Sequence, residues 1–374
     1  MKPNNPFLIA GYYSPEYFCD RKQETETIIN ALDNGRNLTL IASRRIGKTG
    51  LIKNVYYVLK EREPEVVTLY MDIYSTQNLT DFVQLFAKTV LGTLDSTSQK
   101  VMKRIDRFIK NIRPVFTFDQ LTGMPEVSVD VTANNSEITL KELFDYLNSS
   151  DKRCYIAIDE FQQITEYPEK RTEALLRTYI QFATNVNFIF AGSKQYIMRD
   201  MFISAKRPFY HSTQLLSIEG IDRSEYYKFA VEFFKNQGRQ LNEFTFDYIY
   251  DKFEGHTWYV QAILNRLYSY KDEITIPLVD FVVGEIIIEN ATAYESLLTA
   301  YSFGNVNLLR AIAKEGCVKE VNSGEFISRH NLKAASSVNV SLKKLIDKEL
   351  IYKSKSGYIV YDRFMAIWLR LQYF

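Results

Sequence analysis

Cysteine is scarce in this chain of 374 residues: Cys19, Cys154 and Cys317 lie far apart, and no C-x-x-C pair occurs. An odd, scattered set gives no disulfide framework, as expected of a reducing compartment. Histidine is equally rare, and its three copies are dispersed, so no His/Cys metal cluster is expected. Net charge is missing too. Basic residues exceed acidic ones by one, which argues against a chain that binds polyanions over its whole surface. No apolar run is long enough to span a bilayer, since Ile276–Ile288 is interrupted by Asp280 and Glu285. Met1–Pro6 lacks a basic region followed by an apolar one, so no signal peptide is expected and the expected location is the cytoplasm. Nothing resembles a low-complexity composition. With 46% hydrophobic and 14% aromatic residues, the length suffices for two or three domains with sizeable cores.

What is present concentrates at Leu38–Ile52. A short apolar strand runs into Ser43-Arg44-Arg45-Ile46-Gly47-Lys48-Thr49-Gly50, and an amphipathic helix follows through Leu51, Ile52, Val55, Tyr56 and Leu59. That is the order of a phosphate-binding loop. Backbone N–H groups at a helix N-terminus wrap a polyphosphate, Lys48 neutralises its outer oxygens, and the Thr49 hydroxyl ligates Mg²⁺. One position departs from the pattern: Ala42 stands where the first glycine is usual. Its methyl group costs about 1 kcal/mol if the backbone there needs φ > 0, and nothing otherwise. The plain alternative is a Gly-Lys-Thr turn after a strand.

A second segment supplies acids. Cys154–Ile158 reads as a strand buried on both faces, and it ends in Asp159-Glu160. A carboxylate at the end of such a strand holds Mg²⁺ in nucleotide triphosphatases, and the next one can polarise the attacking water. Asp159 is therefore the candidate metal residue, with Thr49, and Glu160 the candidate base. Two acids after a strand could equally open a loop or cap a helix.

Strand-like and helix-like segments alternate from residue 20 to about 215, which predicts an α/β fold with an open, mostly parallel sheet and helices on both faces. The expected strands are Leu38–Ala42, Val66–Asp72, Cys154–Ile158 and Asn187–Ala191. Between Thr97 and Ser136 the alternation fails, and the pattern reads as an inserted helix (Gln99–Asn111) and β-hairpin. From Ser217 to about Asn290 the pattern is wholly helical, with apolar residues at three- and four-residue spacing. Asn305–Phe374 carries twelve Lys/Arg against six Asp/Glu. Three helices and a hairpin there predict a winged helix, whose third helix (about Ser336–Lys348) turns Asn339, Lys343 and Lys344 outward, with Lys353 and Lys355 at the wing. These are candidate DNA contacts; a winged helix packing against protein is the alternative. The expected domains are 1–216 (insertion about 97–136), 217–290 and 291–374.

Taken together, these motifs resemble the ATPases of the STAND branch of the AAA+ P-loop class, with a C-terminal winged helix. The resemblance rests on Arg44–Thr49, on Ile158–Gln162, on Phe18-Cys19-Asp20-Arg21 with Asn5-Pro6-Phe7, on Phe190–Ser193, on Arg207–Tyr210 and on Gly255–Gln261. In the last of these Thr257 stands where the family has proline. The resemblance implies a helical lid, ATP as nucleotide, adenine contact near Phe18 and Arg21, a γ-phosphate sensor at Ser193, and an arginine finger or sensor at Arg207. Simpler readings stand beside these. Ser193 could cap a helix, Arg207 could be a surface residue before a turn, Phe18 and Arg21 could staple the first helix, and Arg44 and Arg45 could bind acids of a neighbouring domain. The expected function is an Mg²⁺-dependent ATPase whose nucleotide state switches domain arrangement, acting on DNA or a partner protein, with a nucleotide-dependent oligomer as one form. The alternative is a DNA-binding regulator or signalling scaffold with little hydrolysis.

Overall fold

The computed structural model describes residues 2–93, 109, 115–118, 125–354 and 356–372. Consecutive apolar residues, rather than alternating ones, build its central strands, as expected where helices cover both faces. In chain order the first elements are α1 (Lys22–Asp33), β1 (Leu38–Ile41), α2 (Lys48–Arg62), β2 (Val67–Asp72), α3 (Leu79–Thr93), β3 (Val115–Phe118), β4 (Pro125–Ser128) and α4 (Ser136–Asn148). They are followed by β5 (Cys154–Asp159), α5 (Thr172–Gln181), β6 (Val186–Gly192), α6 (Gln195–Ile203) and β7 (Gln214–Ser217).

Five strands form one parallel sheet in the order β2-β5-β6-β1-β7. The four strands expected from the sequence are all present, and β6 lies between β1 and β5. The edge strand β7 was not expected. Its residues alternate between half-buried and exposed at one edge of the sheet, so it lacks the continuous buried run of the three interior strands; β2 is the other edge. Leu69, Met71, Ile156, Ile158, Phe188 and Phe190 join a core with α3 and α4. Leu40, Ala157, Ile189 and Ala191 join a second core with α1 and α2. The inserted segment supplies the antiparallel pair β3–β4, and the buried Val129 and Val131 that follow pack into the first core. The expected helix Gln99–Asn111 lies outside the described residues, Ile109 excepted.

The chain divides into two compact units. One is mainly Leu8–Tyr226 with His256–Trp258, and the other joins Asn4–Phe7, Tyr227–Gly255 and Tyr259–Phe374. The remaining elements are α7 (Arg223–Asn236), α8 (Glu243–Lys252), α9 (Thr257–Ser269), α10 (Ile276–Thr299), α11 (Phe303–Glu315), α12 (Gly324–Arg329), α13 (Ala335–Asp347), β8 (Ile351–Lys353), β9 (Tyr358–Val360) and α14 (Arg363–Leu371). Within the second unit, Phe7 is fully buried among Phe229, Phe233, Phe234 and Tyr268. Asn5 and Asn265 exchange side chain-to-carbonyl bonds across this anchor, Asn5 Nδ2 to Asn265 O at 2.8 Å and Asn265 Nδ2 to Phe7 O at 2.7 Å. The Asn5-Pro6-Phe7 box is thus accounted for by packing.

α10 is capped by the Thr275 hydroxyl and carries Pro277 in its first turn, where a missing N–H is harmless. It runs unbroken through residue 290, where the sequence pattern suggested a boundary. The helices α11, α12 and α13 and the antiparallel hairpin β8–β9 form the expected winged helix. An unexpected helix, α14, closes it: Asp362 caps its start, and Phe364, Met365, Trp368 and Leu369 are buried. No helix among the described residues is long and apolar enough to cross a membrane.

Phe190 is fully buried, with ring centroids 4.4 Å from Phe161 and 5.5 Å from Phe202 and Phe209. Phe161 immediately follows the acid pair, so this cluster holds the end of β5 from behind. Phe190→Ala is expected to destabilise the first unit by about 3–5 kcal/mol, read from the midpoint of denaturant unfolding.

Candidate functional site

Parallel strands end together at one edge of a sheet, and open α/β sheets bind ligands there. β1 delivers the loop Ala42–Gly47 to that edge. Gly47 has φ of +100°, a conformation that favours glycine, and Arg45 has φ of +60°. Ala42 is not in the left-handed region, so its methyl group in place of a glycine introduces no backbone strain. No described side chain caps the start of α2, which leaves its first amides for an external acceptor.

Lys48 is buried at 6% exposure, and its ammonium folds back towards the carbonyls of Ser43 at 3.4 Å and Ala42 at 3.5 Å. Burial lowers its pKa below the ordinary lysine value. Asp159 and Glu160 act the other way, and Arg44 adds to the lowering. The result is a cation held with little compensation, in a loop shaped for an anion.

The acids stand two strands away. Thr49 Oγ1 donates to Asp159 Oδ2 at 2.8 Å, and Tyr70 OH donates to the same oxygen at 2.9 Å. The Glu160 N–H donates to Asp159 Oδ1 at 3.0 Å. Glu160 adopts φ of +54°, which turns its side chain at the strand end. Its Oε2 accepts from Ser193 Oγ at 2.7 Å and from Gln162 Nε2 at 2.5 Å. Ser193 follows β6, the strand between β1 and β5, so it stands between the loop and the acids. Gln195 Nε2 donates to Ser43 Oγ at 3.0 Å, completing the span back to the loop. A Cβ on Gly192 would lie 2.3 Å from Gln162 Oε1 and 2.6 Å from Met198 Sδ, so any side chain there would displace the Gln162 and Met198 side-chain ends. Hydroxyl and carboxylate oxygens are the donors at Thr49 and Asp159, a set suited to a hard cation that also keeps waters and phosphate ligands.

The other residues singled out in the sequence are more scattered. Ile46 is buried, and Gly50 leaves room for the Phe18 ring, whose edge lies 3.0 Å from where a Cβ would stand. Arg44 lies 5.9 Å from the centroid of the Tyr74 ring, and Arg45 lies 4.3 Å from that of Trp258. The buried guanidinium of Arg21 donates to Glu24, to Glu219 O at 2.5 Å and to Ile46 O at 3.4 Å, bracing the loop through its backbone. Arg207 is held by Glu173 at 2.9 Å and Asp200 at 3.4 Å, carboxylates separate from the acid pair. A cleft of about 550 Å³ opens between α1 and α2, with Phe18, Asp20, Thr25 and Asn54 in its walls. Its lining includes neither Lys48 nor Asp159. In the winged helix, Asn339, Lys343, Lys344 and Lys353 are exposed, with Asn339 accepting from Asn322 at 2.6 Å. Lys355 lies outside the described residues. Tyr70 and Gln195 escaped the sequence reading because strand register and a crossover bring them in; Gln162, two residues beyond Glu160, stood in a motif without a role.

A strand–loop–helix phosphate cradle, an acid pair on a non-adjacent strand and a polar residue on the strand between them define a P-loop nucleotide triphosphatase. Residues 18–263 match the ATPase domain predominantly from Archaea, and the chain belongs to that family of ATP-binding ATPases. Residues 292–371 match a probable winged helix domain. Among solved structures, the chain is similar to the Walker-type ATPase paby2304 of Pyrococcus abyssi, at 17% identity and a TM-score of 0.65, covering 98% of this chain and 99% of that one. It is also similar to the Aeropyrum pernix ORC2 protein in its ADP form, at 15% identity and a TM-score of 0.58 over 99% and 98% of the two chains. The Aeropyrum pernix ORC1 protein in complex with DNA gives 12% identity and a TM-score of 0.53 over 99% and 96%. These likenesses show the fold. No curated protein matches the chain.

The lowered pKa of Lys48 has a measurable consequence. Phosphate oxygens favour the ammonium form and raise that pKa again, so nucleotide binding is expected to take up protons as pH approaches the ordinary lysine range from below. Calorimetry at alkaline pH in buffers of different ionisation enthalpy checks this; a buffer-independent heat would show a lysine already fully charged.

Proposed function

We propose that this protein is an Mg²⁺-dependent ATPase of the STAND branch of the AAA+ class, whose nucleotide state switches the arrangement of its domains. The observation that carries the reading is the joining of three strand ends by two short bonds, Thr49 to Asp159 and Ser193 to Glu160. Lys48 neutralises the terminal phosphate oxygens, and the free amides at the start of α2 wrap the inner ones. Thr49 and Asp159 hold Mg²⁺, which when bound offsets the charge that develops on the transferred phosphoryl group. Glu160 orients the attacking water and takes its proton, while Ser193 and Gln162 hold one of its oxygens and leave the other to act. Phe18, between the loop and the cleft, is the proposed base contact. Arg207, freed from Glu173 and Asp200, is the proposed arginine sensor. A nucleotide-dependent oligomer is consistent with this scheme.

A second reading keeps the nucleotide site as a ligand switch and gives the work to the winged helix. Exposed Asn339, Val340, Lys343 and Lys344 on one side of α13 favour it, and one structural neighbour is described in complex with DNA. The third helix of such a domain enters a major groove while the wing meets backbone. A protein partner on the same face is the remaining form of this reading.

Two outcomes separate these readings. Glu160→Gln is expected to keep ATP affinity within a few-fold while turnover falls about 10²–10⁴-fold, measured by phosphate release beside equilibrium binding; undiminished turnover overturns the base assignment. Lys343→Glu with Lys344→Glu is expected to weaken duplex binding and reduce the slope of log affinity against log salt by about two. Absence of duplex binding by the unaltered protein at low salt would remove DNA as the partner.

A further inference from the structure

We propose that Tyr70 is a positioning residue for the metal-holding carboxylate: its phenol fixes Asp159 in the orientation that a nucleotide-bound divalent cation requires. This rests on the magnesium reading above and extends it to a residue with no role in that scheme. Tyr70 lies on β2, where Tyr70 pairs with Ala157 and Asp72 with Asp159. Tyr70 and Asp159 are therefore diagonal neighbours on adjacent strands, a separation that an aromatic side chain spans. The phenol reaches Asp159 Oδ2 at 2.9 Å.

Lone-pair counting gives the bond its significance. An ionised carboxylate accepts about four hydrogen bonds, roughly two per oxygen. Both sites on Oδ2 are taken, one by Thr49 and one by Tyr70, and one site on Oδ1 is taken by the Glu160 N–H. A single acceptor direction, on Oδ1, is left for the ion or a water bound to it. Thr49 can hold a cation through a lone pair of its oxygen while its hydroxyl hydrogen still points at Asp159. Tyr70 also interacts with the Thr49 hydroxyl, and of the two donors to Oδ2 it is the one that is not itself a candidate ligand of the cation. Without it Oδ2 has an open site, and the carboxylate can turn towards the ammonium of Lys48, whose charge it already influences.

The phenol's surroundings suit a permanent donor. Burial first, and then the charge of Asp159, raise its pKa above the ordinary tyrosine value, which favours the donating form of the phenol. Lys53, one helical turn beyond Thr49, places its ammonium 5.5 Å from the ring centroid, so α2 covers the ring with the same face that presents Thr49.

The test is Tyr70→Phe, which removes one oxygen and keeps the ring. ADP affinity is measured by calorimetry, first in EDTA and then across a magnesium titration, and Mn²⁺ binding to the ADP complex is followed by electron paramagnetic resonance. The expected result is metal-free ADP affinity and melting temperature unchanged, with the metal midpoint raised about 10–100-fold. The substitution is expected to have no further effect on the metal midpoint when Asp159→Asn is already present. An unchanged metal midpoint overturns the proposal. So does a loss of metal-free affinity equal to the loss with metal, which would mark Tyr70 as packing only. If the unaltered protein binds ADP with no dependence on metal, the magnesium reading falls and takes this proposal with it.

Discussion

The hydrogen bond between Thr49 and Asp159 joins the first turn of α2 to the end of β5, two strands away from the strand that feeds the loop. Such a bond forms only if β1, β6 and β5 end at the same level, and that level is set by their parallel register. The aromatic packing of Phe161 with Phe190, Phe202 and Phe209 maintains it from behind. The insertion of β6 between β1 and β5 is the geometric reason that Ser193 reaches Glu160 at all. Every other feature of the site, from the folded-back ammonium of Lys48 to the bridge between Gln195 and Ser43, lies within the frame this bond defines.

Electrostatics at this edge are unbalanced in two directions. Lys48 is desolvated, and its nearest polar neighbours are carbonyl dipoles. A few ångströms away the acids crowd one another: Asp72, paired in register with Asp159, has its pKa raised by burial and also by Asp159 and Glu160. A buried cation facing an anion cradle and a row of acids facing a strand end are each uncomfortable alone. A polyphosphate carrying a divalent cation relieves both, which is the physical support for assigning that pair of ligands here. Under the function proposed above, that binding energy shifts a conformational equilibrium to the extent that its states solvate these charges differently.

The two departures from the family pattern are both accommodated locally. Ala42 escapes strain because its backbone is not left-handed. Thr257 replaces a proline at the opening position of α9, where proline is tolerated for lack of a needed N–H, and a residue with an N–H is tolerated as well. Thr257 leaves one trace, a buried Oγ1 with no hydrogen-bond partner among the described residues. Gly255, just before that helix, has φ of +65° with the Tyr250 ring where a Cβ would be, so the sharp turn into the helix is set by glycine rather than by proline.

Much of this protein is determined locally and could be read from the chain itself. Apolar runs named the three interior strands and the edge strand β2, helical spacing named most helices, and a glycine-lysine-threonine turn between a strand and a helix named the phosphate cradle, because these depend on backbone conformations set by adjacent residues. The edge strand β7, the closing helix α14 and the continuity of α10 were not legible, since each owes its form to what packs beside it. The same division runs through the site. Lys48, Thr49, Asp159 and Glu160 announced themselves by position in their own segments. That Ser193 and Gln162 share one oxygen of Glu160, that Tyr70 and Thr49 share one of Asp159, and that Arg207 is occupied by Glu173 and Asp200, was decided by strand order and register. Those bring Ser193 to Glu160 and Tyr70 to Asp159 across tens of positions, and no local pattern encodes which residues will meet.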